Sequence, residues 1–262
     1  MNVDNLWAKM FREKDKPKQE TPFTLGKTLQ EKYRSSPQEV ILESRDFERE
    51  GELLGGIIGD AQFVKIRDDG GGVFKPHTGY EGSTKTEFIA RERAAYLISR
   101  FLGFDFVPPT VIKVVNGEEG SLQEFVEDAQ VGSEVRDGDV LNEEMSKLAI
   151  FDSLIDNLDR HSGNYLVKGG RIFAIDHGYT FQSMANLEYG EMSEDHIPAD
   201  LADKLRRFSS LQEQQDILRD LLGELLGSDI VDAFMKRVVS FGESIRPDNT
   251  FDHNKFDSLL RN

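Results

Sequence analysis

The stretch between residues 155 and 181 concentrates acidic, amide and imidazole side chains between short apolar runs. Asp159 and Asn164 lie five positions apart in it, and Asp176 follows after a short hairpin signal. Phosphoryl transfer from ATP requires a carboxylate near the acceptor hydroxyl and oxygen ligands for magnesium, and Mg²⁺ prefers carboxylate and amide oxygens. The residue types and their order therefore favour phosphoryl transfer, with Asp159 as the base or orienting group and Asn164 and Asp176 as metal ligands.

A cation for the phosphates is expected from the opposite wall of the cleft. Lys75 ends the short stretch Val73-Phe74-Lys75, which has the character of a strand. In ATP-dependent phosphoryl transfer such a lysine commonly pairs with a glutamate from a following helix. The helix predicted over residues 86–102 offers Glu87 and Glu92. We favour Glu92 because it lies in the middle of the helix, close to the apolar stripe.

Further contacts with the nucleotide are predicted in the β-rich half of the chain. The segment that joins the two halves is expected near residues 121–126, where backbone groups at Glu124–Val126 could bind adenine. The cofactor-binding candidates there are Gln123, Glu124, Phe125 and Val126. Upstream, Gly55 and Gly56 are assigned to phosphate contact through their backbone N–H groups. A tight turn or a bulge is the alternative explanation for these glycines.

The hydrophobic periodicity predicts an α+β fold with two lobes. Strands are expected at 62–66, 72–75, 110–115 and 120–126 around the single helix 86–102, followed by a helix at 142–158 and strands at 164–167 and 171–175. A leucine stripe at 211–226 predicts a helix, and Ser228-Asp229 is a candidate cap for the next one. The domains are then a partly flexible leader (1–36), a β-rich lobe (37–126) and a helical lobe (127–262).

Two motifs carry a resemblance to a known family. The sequences NLDRHSGN (157–164) and IDHG (175–178) are similar to the catalytic and metal-binding loops of the phosphatidylinositol 3- and 4-kinase-like superfamily, and most similar to its small bacterial members, which include relatives of HipA-type kinases. The resemblance covers roughly residues 50–185. It implies a bilobal protein-kinase-like fold, the cofactors ATP and Mg²⁺, and kinase activity, with Arg160 and His161 joining Asp159 in the catalytic loop.

The sequence departs from the kinase pattern in two places. The metal loop reads Asp-His-Gly where protein kinases have Asp-Phe-Gly, and the glycines near residue 55 lack the spaced G-x-G-x-x-G pattern. Taken singly, the candidate residues also have simpler explanations. Arg160 could brace the loop through a carboxylate, His161 could be a buried hydrogen-bonding strut, and His177 could be an ordinary loop residue.

The charge distribution bears on the acceptor and the partners. The net charge is −16, whereas residues 1–34 hold eight basic and five acidic side chains, a net charge of +3. An acidic body is repelled by nucleic acids and anionic lipid surfaces, so we expect no nucleic-acid partner and disfavour a lipid acceptor. The expected acceptor is a protein hydroxyl, including Thr21, Ser35 or Ser36 of the chain itself.

Composition sets the remaining expectations. No apolar run approaches the roughly 20 residues of a membrane helix, and the N-terminus lacks a secretory signal pattern, so we predict a cytoplasmic protein without membrane insertion. The chain has no cysteine, which excludes disulfides and thiolate metal sites. The alternatives to a protein kinase are a phosphoinositide or other small-molecule kinase, a nucleotidyl transferase, and a module that binds nucleotide without catalysis.

Overall fold

The structure is a computed structural model, and it describes residues 36–44, 47–52, 62–66, 71–76, 85–136, 138, 140, 142–181 and 196–261. Its first half contains a five-stranded antiparallel sheet with the strand order β1-β2-β3-β5-β4. The strands are β1 (Phe47–Glu52), β2 (Gln62–Ile66), β3 (Gly71–Pro76), β4 (Thr110–Val115) and β5 (Glu118–Glu124). The antiparallel pairing predicted for β2 and β3 is present, with Phe63 opposite Val73.

Two helices, rather than the single predicted one, accompany this sheet within the described residues. They are α1 (Pro37–Ser44) and α2 (Lys85–Leu102). Helix α1 begins with a capping box: Glu39 N–H donates to Ser36 Oγ at 3.1 Å, and Ser36 N–H donates to Glu39 Oε2 at 2.9 Å. Ser36 is therefore a helix cap and not part of a flexible leader.

The carboxylate of Glu39 also fixes α1 on α2. It is fully buried and forms ion pairs with Arg93 at 2.7 Å and Arg100 at 2.6 Å, and it accepts a hydrogen bond from the Tyr96 hydroxyl at 3.0 Å. Helix α2 ends where Gly103 adopts φ = 79°, a left-handed conformation that glycine reaches without strain. The start of the described chain is thus bound to the helix that carries Glu92.

The second half is mainly helical and contains a small three-stranded sheet with the order β6-β7-β8. Its elements are β6 (Gln130–Val131), a 3₁₀ turn (Gly132–Glu134), α3 (Asn142–Ile155), β7 (Tyr165–Lys168), β8 (Arg171–Ala174), α4 (Ala199–Ser210), α5 (Gln212–Gly223), α6 (Ser228–Ser244) and α7 (His253–Arg261). None of the helices in the described ranges is both long enough and apolar enough to span a bilayer.

Two details of the helices differ from the sequence prediction. Helix α3 ends three residues early because Asp156 turns into the left-handed region at φ = 52°; its buried face includes Phe151 and Asp152. The N-cap residue of α6 is Gly227, and the Ser228 hydroxyl donates to the Asp229 carboxylate instead of capping a backbone N–H.

The apolar residues of α2 belong to the large core of the helical half. Ala94, Ile98 and Phe101 lie in one continuous buried cluster with residues of α3 to α7, and the Phe101 and Phe208 rings meet edge to face at 6.0 Å. A second buried cluster, which includes Phe74 and Leu122, lies under the five-stranded sheet. Glu92 is therefore carried by a helix packed into the helical half, whereas Lys75 is carried by the sheet.

Candidate active site

Lys75 lies at the centre of the polar groups that join the two halves. Its Nζ is 2.5 Å from Glu92 Oε1 and 3.1 Å from Asp176 Oδ1. The side chain of Glu92 is 5% exposed, whereas those of Lys75 and Asp176 are 29% and 43% exposed. The Lys75 ammonium is therefore accessible to solvent on the side of Asp176. Two carboxylates, 17 and 101 positions after Lys75 in the sequence, thus meet at its ammonium group.

The electrostatics of this group hold both partners charged. Burial by itself would lower the pKa of Lys75, but the charges of Glu92 and Asp176 outweigh burial and raise that pKa above its usual value. Burial would likewise raise the pKa of Glu92, but the Lys75 charge and the neighbouring His177 lower it well below its usual range. A fixed positive charge beside a partly exposed carboxylate is suited to holding phosphate next to a metal ion.

Helix α2 contacts the metal loop through side chains on either side of Glu92. The Arg91 guanidinium donates to the Gly178 carbonyl at 3.3 Å, and the Phe88 ring packs edge to face on Tyr179 at 5.2 Å. A Cβ on Gly178 would come within 2.7 Å of the Phe88 ring, so glycine is required for this close approach. The loop after Asp176 is therefore fitted to one face of α2.

The loop that carries Asp159 is held by its own neighbours. Asn157 accepts the Asp159 N–H at 3.1 Å and donates through Nδ2 to Asp152 Oδ1 at 2.8 Å. Asn164 Nδ2 donates to the Asp159 carbonyl at 2.8 Å and lies 3.5 Å from Asp159 Oδ2. Leu158, beside Asp159, is 70% exposed. The loop thus presents the Asp159 carboxylate and an exposed leucine while its backbone is fixed.

The hairpin β7–β8 brings the two predicted metal ligands together. Tyr165 pairs with Ala174, and Ile175 N–H donates to the Asn164 carbonyl at 3.1 Å, so Asn164 and Asp176 flank the open end of the hairpin. Since the bonds of Asn164 Nδ2 point its amide nitrogen at Asp159, its Oδ1 is oriented away from that residue. The oxygen set fits a hard cation such as Mg²⁺, with most of the coordination sphere left for phosphate and water.

Arg160 braces the site and uses every donor that it has. Its Nε and Nη2 bind the two carboxylate oxygens of Asp152 at 2.8 and 3.0 Å, Nη2 also meets His177 Nε2 at 3.1 Å, and Nη1 donates to the carbonyls of Asn164 and, at 2.9 Å, Ile175. A guanidinium has five N–H groups. None is left for a substrate, so the structure places Arg160 as a brace of the loop, which was the alternative explanation for it.

His177 is fully buried between helix α2 and the loop that carries Arg160, and it is not an ordinary loop residue. Its Nε2 meets Arg160 Nη2, its Nδ1 lies 3.6 Å from Glu92 Oε2, and its ring packs edge to face on Phe151 at 5.9 Å. Burial lowers the pKa of His177. An imidazole that accepts from Arg160 through Nε2 is neutral and carries its proton on Nδ1, the nitrogen that faces Glu92.

His161 lies in a different environment from the one expected. It is exposed, and its Nδ1 accepts the Gly163 N–H at 3.0 Å, while its carbonyl accepts the Asn164 N–H at 2.9 Å. The prediction of a buried strut is therefore wrong in burial, although the ring does bind the backbone. These bonds stabilise the turn that leads to Asn164.

Several polar groups of the predicted adenine-binding segment already form hydrogen bonds within the sheet. The Gln123 amide is buried and donates to Thr110 Oγ1 at 2.9 Å, so this side chain supports the sheet instead of facing a ligand. The N–H groups of Glu124 and Phe125 donate to the carbonyls of Pro109 at 2.8 Å and Gly71 at 3.0 Å. These three groups are already hydrogen-bonded within the protein. The remaining candidates for contact with adenine are the Glu124 carbonyl and the backbone groups of Val126.

Some predicted residues lie outside the described part of the chain, and some participating residues were not predicted. Gly55, Gly56, Thr21 and Ser35 belong to the first group. Asp152, the carboxylate partner of Arg160, belongs to the second. Its signal was a single acidic residue within the apolar face of helix 142–158, since a charge in such a position is almost always paired.

A family model described as phosphatidylinositol 3- and 4-kinase matches residues 92–226, about half of the chain. The chain belongs to the phosphatidylinositol 3- and 4-kinase family. Phosphatidylinositol 4-kinase gamma 2 of Arabidopsis thaliana is 29% identical to it over 196 residues, which are 61% of this chain and 34% of that protein. The chain thus spans about a third of the length of that curated relative.

Solved structures support the fold. A Helicobacter pylori proinflammatory kinase, CtkA, aligns with a TM-score of 0.50 at 12% identity over 84% of this chain and 96% of its own. The Golgi casein kinase aligns with a TM-score of 0.54 at 13% identity over 100% of this chain and 83% of its own. The predictions of a bilobal α+β kinase-like fold and of the family are confirmed.

Proposed function

We propose that this protein transfers the γ-phosphoryl group of Mg-ATP to a hydroxyl group, and that the hydroxyl belongs to a protein serine or threonine. The observation that carries the proposal is the position of Lys75 Nζ, within hydrogen-bonding distance of both Glu92 and Asp176. This arrangement holds a permanent cation next to the carboxylate that would bind magnesium. A domain that had only to bind adenine would not need it.

The remaining residues receive roles from their positions. Lys75 would contact the phosphates, and Asn164 Oδ1 and the Asp176 carboxylate would hold Mg²⁺, which when bound neutralises the charge on the phosphates. No cluster of three or more His, Cys, Asp or Glu side chains suited to a metal occurs among the described residues. A two-ligand protein site suits Mg²⁺ because this ion keeps several waters and binds together with substrate phosphates. Asp159 would orient the acceptor hydroxyl and receive its proton.

Adenine would bind to the backbone at the end of β5. Glu124 donates its N–H to the carbonyl of Pro109 on the neighbouring segment. Two facing antiparallel residues can exchange two hydrogen bonds, but Pro109 has no N–H and cannot donate to the Glu124 carbonyl in return. The Val126 N–H makes no hydrogen bond to another residue of the described ranges. An acceptor at Glu124 and a donor at Val126, two positions apart, match the amino group and ring nitrogen on one edge of adenine.

The choice of a protein acceptor rests on charge. A chain with a net charge of −16 is repelled by anionic phosphoinositide surfaces, which polybasic segments usually recognise. The second candidate acceptor is a phosphoinositide, and the similarity to a plant phosphatidylinositol 4-kinase favours it. Within the chain, Thr21 and Ser35 remain candidate sites of autophosphorylation, whereas the Ser36 hydroxyl already serves as a helix cap. A cytoplasmic location is part of the same proposal.

The proposal is tested with ATP labelled at the γ position and, separately, at the α position. Purified protein is incubated with Mg²⁺ and label, alone, with dephosphorylated casein, and with phosphatidylcholine vesicles that contain phosphatidylinositol. Asp159→Asn is compared with the wild type, and Asp220→Asn, an exposed change on α5, is the matched control. We expect γ-label on protein, lost in Asp159→Asn and kept in Asp220→Asn.

Each other pattern of label identifies an alternative. γ-Label on lipid alone means a lipid kinase and overturns the argument from charge. Retained α-label means nucleotidyl transfer, since the same metal ligands can serve a nucleotide bound in the reverse direction. Nucleotide binding without transfer to any of these acceptors contradicts the proposal and supports a module that only binds.

A further inference from the structure

We propose that His177 is a positioning residue that couples the Lys75–Glu92 ion pair to the loop that carries Asp159. The inference rests on the proposed phosphoryl transfer and adds a connection between its two halves. The connection follows from two contacts of one buried ring: Nδ1 faces Glu92 Oε2 at 3.6 Å, and Nε2 meets Arg160 Nη2 at 3.1 Å.

The first contact reaches the nucleotide side. The two oxygens of Glu92 are divided between partners, with Oε1 on Lys75 at 2.5 Å and Oε2 toward His177. His177 Nδ1 is buried and has no hydrogen-bond partner within the described ranges, so the Glu92 carboxylate is the acceptor within closest reach. A shift of a few tenths of an ångström would make this contact an ordinary hydrogen bond. The position of the imidazole ring therefore depends on the position of the Glu92 carboxylate.

The second contact reaches the catalytic side. Arg160 follows Asp159 directly in the sequence. It donates to the carbonyl of Asn164, a proposed metal ligand, and to the carbonyl of Ile175, which precedes the other proposed ligand. His177 is one of the acceptors that fix the plane of this guanidinium. A change in the ring would therefore change the plane of Arg160 and, with it, the spacing between Asp159 and the metal ligands.

Packing alone does not account for a histidine here. The ring meets Phe151 edge to face, and phenylalanine would preserve that contact. Phenylalanine would, however, leave a buried guanidinium N–H and the Glu92 oxygen without their shared partner, which is costly in a buried polar network. Glutamine has the opposite properties, since its amide offers an acceptor oxygen and a donor NH₂ group but no ring.

Two substitutions therefore separate the proposal from a purely structural role. If His177 couples the two sides, His177→Phe lowers kcat about 10- to 100-fold, the range typical of residues that orient a metal site, with KM for ATP changed less than about threefold. His177→Gln then retains more of kcat than His177→Phe, even if it is the less stable variant. His196→Phe, at an exposed position, is the control and leaves kcat unchanged.

Two further measurements do not depend on activity. ¹⁵N spectra of the wild-type imidazoles, assigned by comparison with His177→Phe, should show Nε2 of His177 unprotonated and Nδ1 protonated. Hydrogen exchange at the amides of Asn164 and Ile175 should be faster in His177→Phe and closer to the wild-type rate in His177→Gln.

The opposite results overturn the proposal. They are a proton on Nε2, exchange rates equal in the two variants, or a kcat for His177→Phe equal to that of the wild type. If the wild type transfers no phosphate at all, the proposed function fails, whereas the spectra and the exchange rates still decide whether His177 links Glu92 to Arg160.

Discussion

Replacing Arg160 by lysine tests whether the guanidinium holds the catalytic loop in place. The side chains of Arg160 and Asp152 are only 13% and 11% exposed, so water has little access to replace the bonds that are lost. The Arg160 guanidinium makes five hydrogen bonds to acceptors here, and a lysine ammonium has only three N–H groups. Arg160→Lys therefore leaves at least two acceptors unpaired, even if it keeps the charge next to Asp152.

The magnitude follows from these two acceptors. A buried polar group without a partner costs about 1–3 kcal/mol, so we expect Arg160→Lys to lower the free energy of unfolding by about 3 kcal/mol. With a slope of about 3 kcal/mol per molar urea, the unfolding midpoint falls by about 1 M. Displacing a catalytic group by about 1 Å can cost about 100-fold in rate, so kcat should fall by roughly 10- to 100-fold.

Urea unfolding and labelled phosphoryl transfer measure these two effects on the same preparations. Arg171→Lys is the matched control, because Arg171 is an exposed arginine on strand β8 of the same hairpin. It should change the free energy of unfolding by less than about 0.5 kcal/mol. A loss below about 1 kcal/mol in Arg160→Lys, together with an unchanged kcat, would refute the assignment of Arg160 as the brace.

Three other changes test the packing and the buried charges. Gly242→Ala should destabilise the protein by about 2 kcal/mol in urea unfolding, since its Cβ would lie 2.4 Å from a backbone oxygen of α4, whereas Gly223→Ala, with nothing within 4 Å, should be neutral or stabilising. Glu39→Gln should cost about 3 kcal/mol because the buried Arg93 and the partly buried Arg100 lose the charge of Glu39; an effect below 1 kcal/mol in the same assay would contradict this. Burial, with a smaller contribution from the Glu39 charge, raises the pKa of Tyr96 to about 12. The neutral phenol is then favoured in the folded state, so its contribution to stability is complete below about pH 10 and is lost as the pH rises toward 12. Tyr96→Phe should remove this late-titrating phenol from an absorbance titration and flatten the loss of stability over that range.

The order of the chemical groups could be predicted from the sequence because each depends on its local neighbours. Lys75 at a strand end, Glu92 within a helix, and the acids beside the β7–β8 hairpin all follow from short patterns of apolar and polar residues. The pairing of Lys75 with Glu92 then followed from matching known phosphoryl-transfer chemistry to those elements, whereas the contact of Lys75 with Asp176 was not predicted. The contacts are present in the structure, while the roles of these residues remain predictions.

The parts that could not be predicted depend on residues far apart in the chain. Helix α1 is short, and its buried Glu39 is stabilised by arginines more than 50 positions away; the capping box Ser36-x-x-Glu39 was the local signal for it. Gln123 was expected at the nucleotide because it lies in the segment predicted to join the two halves, but its amide is bound to Thr110 on the adjacent strand. Periodicity cannot show which side-chain groups are already satisfied by tertiary partners.

Helix α2 is attached to both halves of the protein, and this has a mechanical consequence for the cleft. Ile98 and Phe101 pack among the helices of the second half, whereas Arg93 of the same helix donates to the Thr110 carbonyl on β4. If the sheet rotates relative to the helical half, one of these two attachments must yield. A spectroscopic distance measurement with one probe on β3 and one on α2 would show which one, because the distance between Lys75 Nζ and Glu92 Oε1, 2.5 Å in this structure, changes only if α2 remains with the helical half.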